Sequence, residues 1–305
     1  MSPDTCYAAF GLSVASAVPL PELQVVPGTD IPDVTIRRVP VPIEGPAGGG
    51  LCGDRDRAVL TVPDVARYEI RHGREILVDA SAEADERHVR LFLLGSALGA
   101  LLHQRRLLPL HANAIEVDGR VVAFSGHSGA GKSTLAAWFH DRGRRVLSDD
   151  VCVIGELSDG KPGVYPGIPR LRLWRDALER SGRSAESFDP TWANDDSYDK
   201  FDVPLLPTNE VFSPRPLAAV YFLRQGGSPA QINRLVGSDG MNALISNTYR
   251  GSFIANLGDT VGHWQQCLAI AGQVPLFDVV RSFDGGHFEA DAHLLADHVE
   301  RRLPA

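Results

Sequence analysis

Short alternating stretches separated by Pro and Gly dominate the hydrophobic pattern of the first 84 residues. The alternation predicts strands over 7–14, 33–39, 58–62, 66–71 and 75–79, with a tight turn at His72-Gly73 between the last two. The stretch 40–53 has no periodicity and is expected to be a loop. No catalytic constellation is found here, so residues 1–84 are interpreted as a β-rich accessory or substrate-docking domain.

A helical pattern begins at residue 85. One broad apolar face would consist of Val89, Phe92, Leu94, Leu98, Leu101 and Leu102. Two alternating runs around Asp118-Gly119 then predict a β-hairpin. Further strands are expected at 145–154, 217–223 and 274–283, and helices at 133–141, 238–249, 260–271 and 288–301. The pattern predicts an α/β core over 85–305 behind the smaller β-rich domain.

Composition and charge narrow the possible partners. The chain is 44% hydrophobic and 22% charged, which is typical of globular proteins. Its 30 Lys+Arg against 38 Asp+Glu give a formal charge of -8, so nucleic acid is not an expected partner. The apolar run 91–102 is too short and too interrupted to span a membrane, and the beginning of the chain lacks a signal-peptide pattern. Four dispersed cysteines without a CxxC pair favour a reducing cytoplasm.

One glycine-rich segment carries recognisable chemistry. It comprises Gly126, His127, Ser128, Gly129, Ala130, Gly131, Lys132 and Ser133, and Thr134 follows. The segment matches GxxxxGK[ST] and lies between an apolar strand and a helix, as a phosphate-binding P-loop requires. Lys132, one of three lysines in the chain, would neutralise the β- and γ-phosphates of ATP, and the Ser133 hydroxyl would ligate Mg²⁺. The alternative is a glycine-rich turn that binds no nucleotide.

Two acids follow one helix later, at the end of an apolar run. Asp149 and Asp150 would reach the metal and the γ-phosphate from a parallel neighbouring strand. One carboxylate would hold the metal and the other would act as general base. Both are catalytic candidates, and Asp150 also joins Ser133 as a candidate metal ligand, but the residues do not decide between the roles. A solvated turn is the alternative interpretation. His111 opens the hairpin, either near the phosphates or as a structural histidine.

His111 before a hairpin, the P-loop and the Ser148-Asp149-Asp150 run together resemble the HPr kinase/phosphorylase superfamily over residues 107–154. The resemblance implies an HPr-kinase-like P-loop core that uses ATP and Mg²⁺ to phosphorylate a serine hydroxyl. It also implies an active-site role for His111, nucleotide and metal roles for Lys132 and Ser133, and a base at Asp149 or Asp150.

The segment after the Asp pair departs from that family. Where HPr kinases carry an acidic metal ligand followed by Arg-Gly-Leu-Gly-Ile, this chain has YPGIPRLRLWRDAL at 165–178, so HPr is not the expected substrate. FGLSV, PLPEL, PGIPRLRLW and NTYR look more like the HPr-kinase-like proteins of lasso-peptide gene clusters. That likeness implies a precursor peptide as partner, with its C-terminal serine as acceptor.

Two further cations are weaker candidates. Arg170 or Arg172 would lie over the transferred phosphoryl group, unless 166–174 is a plain surface loop. Lys200 would reach a phosphate from a lid at 195–201, unless it is simply solvated. The expected function is a cytoplasmic Mg²⁺- and ATP-dependent serine kinase, with homo-oligomers possible. A small-molecule kinase and a nucleotide-binding regulatory module are the alternatives.

Overall fold

The N-terminal part of the chain forms one large sheet. The computed structural model describes residues 5–42, 45–46, 48–191, 199–206, 209–283 and 285–302. The strands of the first sheet are β1 (Thr5–Ala9), β2 (Leu12–Ser16), β3 (Gln24–Val25), β4 (Val34–Arg38), β5 (Gly50–Gly53), β6 (Arg57–Val62), β7 (Ala66–Arg71) and β8 (Glu75–Ala80). Their order across the sheet is β3-β1-β2-β4-β8-β7-β6-β5. The β-rich character expected of this region is confirmed.

Two details of this sheet differ from the prediction. The single strand expected over 7–14 is a hairpin, because Phe10 and Gly11 take φ of 53° and 74° and turn the chain between β1 and β2. The loop expected over 40–53 contains β5, which pairs with β6. Apolar Leu51 is buried there, but the flanking glycines conceal the alternation that would have indicated a strand.

A second sheet and a helical layer form the rest of the fold. The second sheet contains β9 (Leu108–Leu110), β10 (Ala112–Val117), β11 (Arg120–Gly126), β12 (Arg145–Ser148), β13 (Cys152–Glu156), β14 (Pro162–Tyr165), β18 (Arg215–Gln225), β19 (Gln231–Leu235) and β20 (Leu276–Arg281). A small sheet contains β15 (Arg170–Trp174), β16 (Asp189–Pro190) and β17 (Lys200–Pro204). The helices are α1 (Glu86–Phe92), α2 (Leu98–Gln104), α3 (Lys132–Asp141), α4 (Arg175–Arg180), α5 (Gly237–Ser246), α6 (Ser252–Asn256), α7 (Thr260–Gln273) and α8 (Phe288–Arg302).

The order of the strands in the second sheet determines which strand ends lie side by side. The predicted hairpin at Asp118-Gly119 is confirmed, with φ of 50° and 76° in the turn between β10 and β11. Strand β11 pairs in parallel with β18, and β18 pairs in parallel with β20, so their carboxyl ends share one edge. The sequence predicts that the strand before the Asp pair, β12, lies directly beside β11. The structure corrects this, because β10 lies between them and pairs with both.

The Asp pair interrupts the strand expected over 145–154. Strand β12 ends at Ser148, and β13 begins at Cys152. Asp150 has φ of 72°, a left-handed conformation that ends regular strand geometry. The two carboxylates therefore lie in a sharp turn between strands of different pairing.

Two clusters of buried hydrophobic residues pack the sheets against the helices. One cluster joins the N-terminal sheet to α1, α2 and the π-helical turn between them (Leu93–Ala97), through buried residues such as Tyr68, Ile70, Leu98 and Leu101. A second packs α3 and α8 against β11, β18 and β20. The mixed α/β fold expected from the sequence is confirmed. Among the described residues, no helix is long and apolar enough to cross a membrane.

Candidate functional site

The predicted P-loop connects β11 to α3 at the shared carboxyl edge. Gly126, Gly129 and Gly131 adopt φ of 153°, 84° and 77°, which L side chains rarely adopt. Asn113 on the neighbouring β10 donates its side-chain amide to the carbonyl oxygen of Lys132 and fixes the start of the helix. The backbone therefore has the geometry that turns amide N–H groups toward a phosphate.

Lys132 is held inside this loop. Its Nζ donates to the carbonyl oxygens of Gly126 at 2.8 Å and His127 at 3.0 Å, and the residue is only 6% exposed. Burial lowers the pKa of Lys132 to about 8, against the attraction of Asp150 and Asp149. An anion entering the loop would stabilise the charged form, so phosphate binding and protonation of this amine reinforce each other.

Asp149 bridges the P-loop helix and β15. Its Oδ1 accepts a hydrogen bond from Ser133 Oγ at 3.1 Å, and its Oδ2 accepts from the backbone N–H of Arg172 at 2.7 Å. Burial raises the pKa of Asp149 to about 6, with the neighbouring Asp150 carboxylate adding to the effect. The hydroxyl and the carboxylate thus form an oxygen pair at the start of α3.

Asp150 lies between an arginine and a histidine. Its Oδ2 is 3.4 Å from Arg172 Nη1, and its Oδ1 is 3.6 Å from His111 Nε2. Burial is the largest effect and opposes ionisation, but the attractions of Arg172, His111, Lys200 and Lys132 together outweigh it and hold the pKa of Asp150 below its usual value. Burial, and then Lys132, lower the pKa of His111 to about 4. An ionised carboxylate therefore faces a neutral imidazole at neutral pH.

These groups share one cavity of about 290 Å³. Its lining comprises His111, Ser128, Gly129, Ala130, Gly131, Lys132, Ser133, Thr134, Asp150, Trp174, Asp176, Ala177, Arg180, Lys200, Arg281, Ser282, Phe283 and Phe288. Gly126 and His127 contribute through the carbonyls that hold Lys132. The structure thus brings His111, the P-loop and the Asp pair together, with Asp150 on the cavity wall.

The two weaker candidates have different positions. Arg170 lies outside the cavity lining and pairs with Asp202 at 2.9 Å, whereas Arg172 contacts both Asp202 and Asp150. The sequence left open a substrate-facing turn or a plain surface loop at 166–174, but Arg170 begins strand β15, which pairs with β17. Lys200 lines the cavity, with its Nζ 5.0 Å from the Trp174 ring centroid. Residues 195–198 of the expected lid lie outside the described residues.

The sequence reasoning did not identify two residues of this site. Asn113 holds the carbonyl of Lys132, and Arg281 donates from Nη2 to the carbonyl oxygen of Ala130 at 2.8 Å. Arg281 ends strand β20, whose carboxyl end meets the P-loop edge. The predicted strand 274–283 contained the necessary signal, since residues at the carboxyl ends of parallel strands gather at one edge.

The oxygen pair of Ser133 and Asp149 suits a hard divalent cation. Within the described residues no group of three or more His, Cys, Asp or Glu side chains is placed to hold a metal. Mg²⁺ is usually bound by one or two protein oxygens together with substrate phosphates and water. The residues present therefore fit Mg²⁺ that is held jointly with a nucleotide.

The chain was compared with protein-family models, curated proteins and solved structures. No protein-family model matches the chain, and no curated protein matches it. The chain is similar to the structure of the HPr(Ser) kinase/phosphatase from Coxiella burnetii, with 11% sequence identity and a TM-score of 0.33. The match covers 63% of this chain and 91% of that one.

Proposed function

We propose that this chain is a kinase that uses Mg²⁺ and ATP to phosphorylate a serine hydroxyl of a peptide or protein. The observation that carries the proposal is the cavity that the P-loop shares with Asp150, together with the hydrogen bond from Ser133 of the loop to Asp149. Lys132 and Asp150 both line this cavity, and the Ser133–Asp149 oxygen pair adjoins the same loop. A module that only bound nucleotide would need the P-loop but not an ionised carboxylate facing the phosphates.

The geometry supports distinct roles for the two acids. Asp149 contacts the P-loop hydroxyl, so Ser133 and Asp149 are assigned to Mg²⁺, which would neutralise phosphate charge when bound. Asp150 is assigned as general base, because it lines the cavity and the cationic groups around it together hold its pKa below the usual value. The sequence left these roles open and had counted Asp150 among the metal ligands.

Transfer would then proceed by direct displacement. The acceptor oxygen bonds to the γ-phosphorus as the bond from that phosphorus to the β,γ-bridging oxygen breaks, and ADP leaves. The hydroxyl proton passes to a carboxylate oxygen of Asp150. Arg172 and His111 contact that carboxylate from two sides, and this fixes its direction.

The acceptor we propose is the C-terminal serine of a lasso precursor peptide. This part of the proposal rests on the sequence resemblance, above all on the PGIPRLRLW segment and the NTYR run. In the structure these segments supply Arg172 and Tyr249, both of which line a small cleft that also contains Asp150. Under this proposal, Arg172 and Tyr249 would contact the acceptor peptide next to the proposed base Asp150.

Nucleotide binding is tested by thermal unfolding with Mg-ATP. A ligand at 100 times its dissociation constant stabilises the folded state by about 2.7 kcal/mol, so the wild type should melt at a higher temperature. Lys132→Met should abolish the shift, and Lys161→Met, at an exposed lysine in a turn, should keep it. If no nucleotide changes the melting temperature of the wild type, the P-loop assignment is contradicted.

Transfer is tested with γ-labelled ATP, Mg²⁺ and three kinds of acceptor. A precursor peptide ending in serine should be labelled, its serine-to-alanine counterpart should not, and HPr should be a poor acceptor. Labelling of HPr alone would refute the peptide assignment. Labelling of small hydroxyl metabolites alone would favour a small-molecule kinase. ATP binding without any transfer would favour a regulatory module.

A further inference from the structure

Arg281 is a buried cation at the edge of the P-loop. It is 2% exposed and is among the largest fully buried side chains of the protein. Its Nη2 donates to the carbonyl oxygen of Ala130 at 2.8 Å, in the middle of the loop. A Cβ atom added at Gly131 would lie 2.5 Å from the same nitrogen, so the guanidinium packs directly on the loop backbone.

Among the described residues, the charge of Arg281 has no counter-ion in contact. In the part of the chain that the structure describes, no carboxylate forms an ion pair with it, and its Nε has no hydrogen-bond partner. The rings of Phe283 and Phe288 lie beside the guanidinium, each with its centroid 5.7 Å from Cζ. Asp291 attracts the charge from α8 without contacting it.

A buried charge without a counter-ion destabilises the folded protein unless a bound ligand compensates it. Buried arginines are almost always paired, because moving a charge out of water costs several kcal/mol. Arg281 also lines the cavity that contains the P-loop and Lys132. The unused donor, the missing counter-ion and the cavity all point to an anion as the absent partner.

We propose that Arg281 is a phosphate-binding residue of this nucleotide site, supplied by β20 in addition to the P-loop lysine. The proposal rests on the proposed function only for the presence of a nucleotide. It assigns Arg281 two contacts: one to the Ala130 carbonyl, which positions the guanidinium, and one to a phosphate of the bound nucleotide. Arginine suits this double role because its five donors diverge in a fixed plane.

The experiment compares binding with stability in the full chain. Calorimetric titrations with inorganic pyrophosphate, ADP and ATP are made on the wild type, Arg281→Met, Arg281→Lys and the control Arg234→Met. Arg234 is an exposed arginine of β19 that faces Phe277. Arg281→Met should weaken pyrophosphate and ATP about 10- to 100-fold, the effect of losing a charge-assisted hydrogen bond. Arg281→Lys should recover part of this loss, and Arg234→Met should bind as the wild type does.

The melting temperature of the ligand-free variants shows whether Arg281 serves ligand binding or the stability of the fold. Because the charge lacks a counter-ion, ligand-free Arg281→Met should melt no lower than the wild type while binding pyrophosphate more weakly. Unfolded Met and Lys variants, or variants that bind pyrophosphate and ATP within twofold of the wild type, would overturn the proposal. The readout is binding, so a wild type that binds ATP but transfers no phosphate would refute the kinase and leave this test valid. A wild type that binds none of the three ligands would overturn both.

Discussion

Asp149 and Asp150 are adjacent in the chain, yet their surroundings favour different chemistry. Asp149 contacts Ser133, while Asp150 lies on the cavity wall beside Arg172. We predict that Asp150→Asn lowers the rate of phosphoryl transfer by about 10²- to 10⁴-fold and keeps ATP affinity within a few fold, because only the base is lost. Asp149→Asn should instead raise the Mg²⁺ concentration needed for half-maximal rate. Steady-state kinetics at varied Mg²⁺ and ATP measure both.

The control for this pair is an acid outside the site. Asp159 lies in an exposed turn and pairs with Lys161, so Asp159→Asn should keep wild-type kinetics. Near-wild-type transfer in both site variants would show that neither acid is the base. A stronger Mg²⁺ requirement in Asp150→Asn than in Asp149→Asn would reverse the two roles.

The candidate site was predictable where its residues are contiguous in sequence. The P-loop spacing predicted a site at Lys132 and Ser133, and the structure places both in the lining of one cavity, since backbone curvature and side-chain chemistry are both local there. Arg281 could not be found in this way, because its contact with Ala130 spans 151 residues and depends on which strand lies beside β18. The sequence offers Arg172 for a contact with the phosphoryl group. Its ion pair with Asp150 could not be predicted, because it depends on the position that pairing with β17 gives to β15.

The β1–β2 hairpin meets the second sheet at one glycine. A Cβ atom at Gly11 would lie 2.2 Å from Tyr165 Cδ1 in β14, and Gly11 has φ of 74°. We predict that Gly11→Ala destabilises the protein by about 1–3 kcal/mol, through overpacking and the cost of the left-handed conformation. Chemical denaturation measures the change.

A double-mutant cycle separates these two causes. Tyr165→Ala removes the ring, so Gly11→Ala should cost less in that background, and the difference is the overpacking component. At Gly119, φ is 76° and an added Cβ would meet nothing within 4 Å. The loss of stability in Gly119→Ala therefore measures the cost of the left-handed backbone conformation without overpacking. Equal costs for Gly11→Ala with and without the Tyr165 ring would show that the hairpin does not press on β14.

Helix α2 contributes a buried neutral histidine to the pH dependence of stability. His103 Nε2 lies 2.9 Å from the carbonyl oxygen of Tyr249, and burial lowers the pKa of His103 from 6.5 to about 4. Between these values the unfolded chain binds more protons, so stability is full above pH 6.5 and falls as the pH drops toward 4, by about 3 kcal/mol. His103→Gln should remove this contribution and reduce the slope, while His111, whose pKa is also lowered to about 4, keeps its own contribution over the same pH range. A slope equal to that of the wild type in His103→Gln would contradict the assignment.

Elements were predictable where periodicity and turn chemistry agree. Asp118-Gly119 fixes a hairpin locally, and the apolar face from Val89 to Leu102 fixes a helix. Alternation alone did not reveal the turn at Phe10-Gly11, because apolar residues continue through it. It also did not reveal the break at Asp150, where a residue other than glycine takes a left-handed conformation.

At the scale of the molecule, the N-terminal sheet and the P-loop core share buried surface. The cluster that contains Tyr68 and Ile70 also includes Val151 and Val153, which follow the Asp pair directly. Gln104 at the end of α2 accepts a hydrogen bond from the backbone N–H of Gly73 at 2.7 Å. Sequence patterns predicted a β-rich part and an α/β part, but not this shared core, because packing between distant segments has no local signature.

Separating the chain at residue 84 tests how far the two parts depend on each other. A chain of residues 85–305 would expose the apolar faces of α1, α2 and the π-helical turn between them, including Val89, Leu93 and Leu98, all at most 2% exposed in the whole protein. Exposed apolar patches of this kind lead to association, so we expect residues 85–305 alone to aggregate and to lack a cooperative thermal transition. Adding residues 1–84 as a separate chain should restore the transition, because the missing half of the core is then supplied. A monomeric 85–305 chain that melts within a few degrees of the full protein would show that the predicted boundary divides two independent domains, and that the shared cluster contributes little to either.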